Sequence, residues 1–175
     1  MTYRDELTLA MSNLAADKAT RFIGYGVKIG GRALGTLKNV PDAQLIETPV
    51  AENLMVGLAT GLSLAGLRPV VFIERMDFIL NALDAIVNHL GAASKISRGQ
   101  FHPAVILRVV IGNRHKPLYT GPTHVQDFTE AVRLMVDFPV VRLTEAGQIA
   151  HAYFEAHEAL WRGRSTMLVE HKDLI

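Results

Sequence analysis

The sequence predicts an α/β fold, a three-layer sandwich in which a mainly parallel sheet is flanked by helices on both faces. Apolar, strand-like runs alternate with helix-like segments along the chain, which is the pattern of α/β proteins. Several strand-like segments are continuous apolar runs, and this is typical of parallel strands that are buried on both faces. Because 175 residues suit one domain, we predict a single domain over residues 1–175.

Composition excludes several classes of protein. The 18 lysines and arginines almost balance the 17 aspartates and glutamates, so net charge does not indicate binding to nucleic acid or to a membrane surface. The absence of cysteine excludes disulfides, thiolate zinc sites and iron–sulfur clusters. No continuous apolar run resembles a signal peptide or a membrane span. We therefore expect a cytoplasmic protein.

The first half of the chain supplies two helices and three strands. Residues 5–17 carry apolar side chains at mostly helical spacing, and apolar runs at 22–26, 45–47 and 70–73 predict strands. The glycine-rich stretch between the first two runs predicts a loop. Thr48 and Pro49 favour a helix start, because threonine can cap a helix and proline suits its first turn. That helix extends to about Ala65, and Gly66 ends it.

The second half continues the alternation. An apolar face at helical spacing predicts one long helix over residues 77–95, and the strongest strand signal of the chain follows it. That strand covers residues 104–111, and a polar loop over residues 112–126 separates it from the last four elements. These are helices at 127–136 and 145–161 and strands at 140–143 and 166–170.

Glu52 and His124 are the side chains best placed for chemistry. Glu52 lies one turn into a helix that follows a strand, at the edge of the sheet where α/β folds bind ligands. The alternative explanation for Glu52 is structural, because acidic residues stabilise helix N-termini. His124 lies in the loop after the strongest strand, a better position for chemistry than a helix face. The seven histidines form no metal-binding pair, so we predict no metal site.

Two glycines predict a close contact of the helix that contains Glu52. Gly57 and Gly61 are four residues apart and, with Thr60 and Ser63, leave a surface of small side chains. A glycine within a helix costs about 1 kcal/mol relative to alanine. We therefore expect another backbone to approach this surface, either within the domain or across a subunit interface.

Ordered motifs give the chain a family resemblance. It resembles the pyrimidine-binding domain of the β subunits of thiamine-diphosphate-dependent 2-oxo acid dehydrogenases, of the pyruvate and branched-chain type, within the transketolase-like superfamily. Residues 1–5 also resemble the start of such a subunit. The motifs are ETPVAE at 47–52, VG at 56–57, AGLRPVV at 65–71, DFI at 77–79, DAIVN at 84–88, RGQF at 98–101, GPTHVQ at 121–126 and LVEHK at 168–172.

The resemblance implies roles for four residues. Glu52 is implied to be catalytic and cofactor-binding: it hydrogen-bonds a ring nitrogen of the aminopyrimidine of thiamine diphosphate and favours the imino form that removes the thiazolium proton. Phe78 matches the aromatic residue that stacks on the aminopyrimidine. His124 matches a catalytic histidine that handles the substrate-derived intermediate and its transfer to a lipoyl group. Gln126 belongs to the same motif and is implied to bind the cofactor.

The resemblance also implies a partner chain. In the family, a GDG motif and a later asparagine hold the diphosphate through Mg²⁺, and this sequence contains no GDG. The implied partner is an α-type subunit that carries this motif, in an α2β2 assembly that acts on a small-molecule substrate. The C-terminal domain of the family's β subunits is absent from this sequence. The sequence also departs from the family at Arg98, Val125 and Gln148, which stand where glycine, serine and aspartate are usual.

Three functions remain open at this point. The first is a β-type subunit of a split enzyme that cleaves a 2-oxo acid or a ketose-like donor. The second is a subunit of a non-oxidative decarboxylase or carboligase, or of a split transketolase-like enzyme. The third is a non-catalytic assembly domain, against which the joint presence of Glu52, Phe78 and His124 argues.

Overall fold

The structure, a computed structural model, describes residues 1–116 and 121–175. Within these residues, six parallel strands form one sheet in the order β2-β1-β3-β4-β6-β5. The α/β class and the parallel sheet predicted from the apolar runs are confirmed. The strands are β1 (Thr20–Gly24), β2 (Leu45–Glu47), β3 (Arg68–Ile73), β4 (Ile106–Ile111), β5 (Val140–Arg142) and β6 (Thr166–His171).

Helices cover both faces of the sheet. Short 3-10 segments lie at Asp42–Gln44, Met76–Ala82 and Gly121–His124, and a π-helical segment lies at Ala85–Gly91. The helices are α1 (Tyr3–Ala16), α2 (Glu52–Leu64), α3 (Ala93–Ile96), α4 (Thr129–Met135) and α5 (Ala146–Trp161). No helix in the described ranges is long and apolar enough to cross a membrane.

The sheet separates two apolar cores. Alternate residues of each strand point to opposite faces, and in β3 Phe72 contributes to one core and Val71 to the other. The first core lies beneath α1 and α5, and the second lies beneath α2, α4 and the Met76–Ala82 segment. Burial of both faces explains why the strands are continuous apolar runs in the sequence.

A buried ion pair joins the sheet to α5. The guanidinium of Arg108 donates two hydrogen bonds to the carboxylate of Glu170, with Nε–Oε1 at 2.6 Å and Nη2–Oε2 at 2.9 Å. The Tyr153 hydroxyl donates to the same carboxylate. Burial, followed by the negative charge of Glu170, raises the pKa of Tyr153 well above its usual value. These paired groups hold the middle of β4 and β6 against α5 without leaving the carboxylate unpaired.

The prediction of one long helix over residues 77–95 is wrong. The structure has a 3-10 segment, a π-helical segment and the short α3 in its place. Gly91 suits the wide π turn, because a Cβ at this position would lie 3.1 Å from the carbonyl oxygen of Ile86. The apolar periodicity identified the buried face of this segment correctly but could not distinguish the three helical geometries.

The predicted start of α2 is also wrong by three residues. Thr48 does not cap the helix, because its N–H donates to the carbonyl oxygen of Gly24 at 3.1 Å and so extends the pairing of β2 with β1. The chain turns into the helix only after Ala51, which makes no side-chain cap hydrogen bond. At the other end, Gly66 adopts a φ of +86° and terminates the helix as predicted.

Strand order determines where a crevice forms. The connection that follows β1 leads to β2 on one side, whereas the connection that follows β3 leads to β4 on the other side. Loops that diverge in this way leave a crevice at the carboxyl ends of β1 and β3, where α/β sheets bind ligands. Glu52 lies at this edge, at the start of α2.

Candidate functional site

Glu52 lies in a small pocket at the carboxyl edge of the sheet. It is the first residue of α2 and is 5% exposed. The pocket has a volume of about 90 Å³ and is also lined by Tyr25, Met55 and Phe78, and by the end of β3. The two predicted site residues Glu52 and Phe78 therefore share one pocket.

The Glu52 carboxyl group has no partner in the described part of the chain. No hydrogen bond or ion pair to it is present there. Its two oxygens are not among the fully enclosed polar atoms without a partner, and the residue lines the pocket. An acidic residue at a helix N-terminus gains about 0.3–1 kcal/mol from the helix dipole. The position of Glu52 is therefore compatible both with this structural role and with a role toward a ligand in the pocket.

Phe78 contributes its ring to this pocket rather than to the apolar core. Its neighbours Met76 and Ile79 are fully buried, whereas Phe78 is half-buried. The 3-10 geometry of Met76–Ala82 begins with the Phe78 N–H donating to the Arg75 carbonyl oxygen at 3.0 Å. This turn directs Phe78 into the pocket while Met76 and Ile79 pack inward.

His124 lies beside Phe78, just outside the pocket lining. The two rings meet edge to face, with centroids 5.3 Å apart and planes at 90°. His124 ends the 3-10 segment Gly121–His124, and its Nδ1 lies 3.1 Å from Oγ1 of Thr123. The predicted polar loop over residues 112–126 includes residues 117–120, which lie outside the described residues.

Gln126 contacts a neighbouring aspartate. Its side-chain amide donates to Oδ1 of Asp77 at 3.1 Å, and its backbone N–H lies 3.4 Å from the same oxygen. Gln126 is exposed and does not line the pocket that contains Glu52. The structure thus links Glu52 to Phe78 through the pocket and Phe78 to His124 through their rings, whereas Gln126 contacts Asp77 outside the pocket lining.

Glu47 organises the loop beside the pocket, and the sequence did not identify it as a site residue. Its carboxylate accepts the backbone N–H groups of Gly26 and Lys28, each at 2.6 Å, and of Ile29 at 3.1 Å. Burial opposes the charge of Glu47, but these hydrogen bonds outweigh it and lower the pKa of the carboxyl group. The available signal was an acidic strand end next to a glycine-rich loop with unpaired N–H groups.

The same loop contains a left-handed turn. Arg32, Ala33 and Leu34 have φ values of 44°, 48° and 60°, a conformation that costs roughly 1–2 kcal/mol per residue. The Ala33 N–H donates to the Gly26 carbonyl oxygen at 2.8 Å, and the Arg32 guanidinium pairs with Asp42. Local strain of this kind often lies near functional sites, and here it shapes a second pocket that shares Tyr25 with the first.

The described residues contain no group of three or more histidine, aspartate or glutamate side chains that could hold a metal ion. The acidic residues nearest the pocket are already engaged: Glu47 binds backbone N–H groups, and Glu74 pairs with Arg75 at 3.0 Å. The arrangement offers a carboxyl group, an aromatic ring and an imidazole to an organic ligand.

The parallel sheet flanked by helices, with a pocket at its carboxyl edge, defines the class of the domain as an α/β fold of the transketolase type. The chain belongs to the family of the transketolase pyrimidine-binding domain, whose model matches residues 1–175. The family resemblance read from the sequence motifs is confirmed.

Curated relatives agree with this assignment. The chain is 30% identical over 134 residues to the mitochondrial pyruvate dehydrogenase E1 component subunit beta of Ascaris suum, which covers 74% of this chain and 36% of that protein. It is 32% identical over 113 residues to the mitochondrial counterpart of Drosophila melanogaster, which covers 62% and 31% respectively. The match thus spans about a third of the length of these relatives.

A solved structure shares the fold. The split-gene transketolase described as an inactive β4 tetramer superimposes with a TM-score of 0.73, over 98% of this chain and 52% of that chain. The two sequences are 14% identical, so the likeness concerns the fold alone.

Proposed function

We propose that this chain is the β-type subunit of a split thiamine-diphosphate-dependent enzyme that cleaves a 2-oxo acid or a ketose-like donor. The observation that carries the proposal is that Glu52, whose carboxyl group has no described partner, shares a pocket with Phe78, and that His124 lies against the Phe78 ring. The relatives named above are β subunits of pyruvate dehydrogenase, which supports the 2-oxo acid class.

The residues of the pocket fit the aminopyrimidine end of the cofactor. The Glu52 carboxyl group has no described partner and can share a proton with a ring nitrogen. Phe78 offers an aromatic face for stacking, and Met55 is a buried apolar neighbour that keeps water away. When bound, thiamine diphosphate supplies the thiazolium carbon that attacks the carbonyl group of the donor.

His124 is proposed to act later, on groups derived from the substrate. Its ring meets that of Phe78 edge to face and does not line the pocket, so it lies next to the proposed cofactor site rather than in it. An imidazole can donate or accept a proton near neutral pH. We assign Glu52 to activation of the cofactor and His124 to proton transfer at the substrate.

The rest of the cofactor is proposed to bind to an α-type partner that carries the GDG motif and holds Mg²⁺, in an α2β2 assembly. Mg²⁺ in phosphate sites needs oxygen ligands such as carboxylates, and the described residues contain no suitable cluster. Several apolar or aromatic side chains that line the pocket, or lie near its residues in the chain, are at least half exposed: Tyr25, Val50, Leu54 and Leu80. A partner chain would cover these apolar side chains.

Two alternatives differ in what they predict. A non-oxidative decarboxylase, carboligase or split transketolase-like enzyme would use the same pocket with a different donor, which assays of 2-oxo acids and ketoses would reveal. A non-catalytic assembly domain has no use for a buried carboxyl group without a described partner. The burial of Glu52 therefore favours the catalytic functions.

Replacement of Glu52 with glutamine tests the proposal. Glu52→Gln preserves shape but removes the proton-sharing group, so exchange of the thiazolium C2 proton in the reconstituted complex should slow by roughly 10²–10⁴. Cofactor affinity should change little, because the diphosphate is held elsewhere. Nuclear magnetic resonance of deuterium exchange at C2 measures the step.

The matched control is Glu145→Gln, which alters the acidic residue at the start of α5, away from the pocket. This control should exchange like the wild type. Equal exchange rates in Glu52→Gln and the wild type would show that Glu52 is only a helix-terminal acid and would refute the proposal.

A further inference from the structure

We propose that Gly112 and Asp77 are positioning residues that fix the backbone of His124 in front of the Glu52 pocket, and that Gln126 serves as the tether between Asp77 and the His124 segment. The inference rests on the proposed function, to which it adds the residues that set the geometry of the second catalytic group. Neither Gly112 nor Asp77 lines the pocket.

Gly112 provides the space that the His124 backbone occupies. It directly follows β4, and a Cβ at this position would lie 1.7 Å from the carbonyl oxygen of His124 and 2.8 Å from its carbonyl carbon. The clash is with backbone atoms, so no side-chain rotation can relieve it. The φ of Gly112 lies outside the left-handed region, so the requirement for glycine is steric rather than conformational.

Asp77 holds the segment from the opposite side. It is 7% exposed, and its Oδ1 accepts hydrogen bonds from the backbone N–H and the side-chain amide of Gln126, two residues after His124. Hydrogen bonds to a charged acceptor are stronger than neutral ones. The next residue in the same 3-10 turn, Phe78, lines the Glu52 pocket and contacts the His124 ring.

These contacts limit the position of His124 at three points. Gly112 limits its backbone on the β4 side, Asp77 limits it through Gln126, and Phe78 limits its ring. The Met76–Ala82 segment carries two of these contacts and also lines the pocket. A displacement of about 1 Å can cost roughly 10²-fold in rate. The rate of the step assigned to His124 should therefore depend on Gly112 and Asp77, although neither residue touches the cofactor or the substrate.

The positioning can be tested in the chain alone, without a cofactor. In Gly112→Ala the new methyl group must displace the His124 backbone, so the imidazole resonances of His124, which are sensitive to the Phe78 ring, should shift. Those of His151, on α5, should not. The control Gly147→Ala places a methyl group where nothing lies within 4 Å and should leave His124 unchanged. An unchanged His124 signal in Gly112→Ala would overturn the inference.

Kinetics of the reconstituted complex give the second readout. Gly112→Ala should lower kcat by about 10²-fold while exchange at the thiazolium C2, the step assigned to Glu52, stays within about threefold. In a His124→Ala background, Gly112→Ala should cost nothing further, because both changes remove the same interaction. An additive loss, or an equal loss in C2 exchange, would overturn the inference.

Asp77 variants complete the test. Asp77→Asn retains an oxygen that accepts from Gln126 and should keep most of the activity, whereas Asp77→Ala should behave like Gly112→Ala. If Asp77→Ala fails to fold, Asp77→Asn can still be compared with Gly112→Ala. A low kcat in Asp77→Asn would then contradict the proposed role of the hydrogen bond between Asp77 and Gln126. A wild-type complex that does not accelerate C2 exchange would refute the proposed function, whereas the histidine resonances would still decide the positioning.

Discussion

Two glutamates at the same edge of the sheet have opposite surroundings. The Glu47 carboxylate accepts backbone N–H groups of the loop after β1, whereas Glu52 lines the pocket and its carboxyl group has no described hydrogen-bond partner. A carboxylate that accepts several hydrogen bonds is occupied by the protein itself, and one that accepts none can bind a ligand. This contrast supports the proposal that Glu47 is structural and that Glu52 contacts the cofactor.

Glu47 makes stability depend on pH. Burial opposes its ionisation, but the backbone N–H groups of residues 26–29 hold its pKa below the ordinary value of 4.5. A depressed pKa stabilises the fold above about pH 4.5, and this contribution is lost as the pH falls through the lower pKa of the folded state. Urea unfolding between pH 7 and pH 3 should show a smaller loss for Glu47→Gln than for the wild type.

The control for this experiment is Glu155→Gln, at an exposed position on α5, which should retain the wild-type pH profile. If the unfolding free energies of Glu47→Gln and the wild type fall in parallel with pH, the hydrogen bonds to Glu47 do not stabilise the loop.

Among the secondary-structure elements, the apolar patterns of the sequence predicted the strands well and the irregular helical segments poorly. Each apolar run became a strand within about two residues of its predicted limits, because burial on both faces produces a pattern that the sequence carries by itself. The three-part segment between Met76 and Ile96 was predicted as one helix. Its geometry depends on how it packs over α2 and the sheet, which periodicity does not encode.

The site residues that the sequence predicted stay a prediction, but their arrangement can be compared with the structure. The family resemblance implies Glu52, Phe78 and His124, and in the structure Phe78 shares a pocket with Glu52 and contacts the ring of His124. The residues it missed act through tertiary contacts: Gly112 meets the backbone of His124, and Asp77 binds a residue 49 positions away. No single stretch of sequence contains both members of such a pair, so no local pattern reveals them.

No other element in the described part of the chain approaches the glycines of α2. A Cβ at Gly57 or Gly61 would have no atom within 4 Å, so the approach within the domain that the sequence left open is not observed there. The hydroxyl oxygen of Ser63, which the sequence predicts on the same surface, accepts a hydrogen bond from the backbone N–H of Ala104 at 2.7 Å. We therefore expect the surface formed by Gly57, Thr60 and Gly61, with the adjoining 76–96 segment, to be buried between subunits.

This expectation predicts effects of opposite sign. The double variant Gly57→Ala/Gly61→Ala should stabilise the monomeric chain by up to about 1 kcal/mol per site, because alanine favours a helix. The same methyl groups should weaken assembly, since they hold the subunits apart. Urea unfolding and sedimentation measure the two effects, and Gly147→Ala should stabilise without weakening assembly. Unaltered assembly of the double variant would mean that this surface is not an interface.

For the domain considered as a whole, the proposed function assigns it one half of a site. The carboxyl edge of the sheet provides the carboxyl group of Glu52, the ring of Phe78 and the imidazole of His124, which suit an organic ring and a reacting substrate. The GDG motif is absent from the sequence, and the described residues offer no cluster of oxygen ligands for Mg²⁺. Under the proposed function, this domain would activate the cofactor and a partner chain would hold the diphosphate.

This division predicts how thiamine diphosphate binds. Most of the affinity should come from the diphosphate and Mg²⁺, because charge-assisted contacts to phosphate are strong. A pocket of about 90 Å³ has room only for the edge of the aminopyrimidine. Calorimetry on the chain alone should thus show binding weaker than micromolar, with or without Mg²⁺. Addition of the α-type partner should produce tight, Mg²⁺-dependent binding, and Glu52→Gln should leave that affinity nearly intact.

Thermal unfolding provides an independent measure, since a ligand at about 100 times its Kd stabilises the folded state by about 2.7 kcal/mol. Tens of micromolar thiamine diphosphate should therefore raise the unfolding temperature of the complex and leave that of the isolated chain unchanged. Sub-micromolar binding to the isolated chain would mean that it contains its own diphosphate site. In that case the division of the site between two chains, and the reason for a partner, would both be wrong.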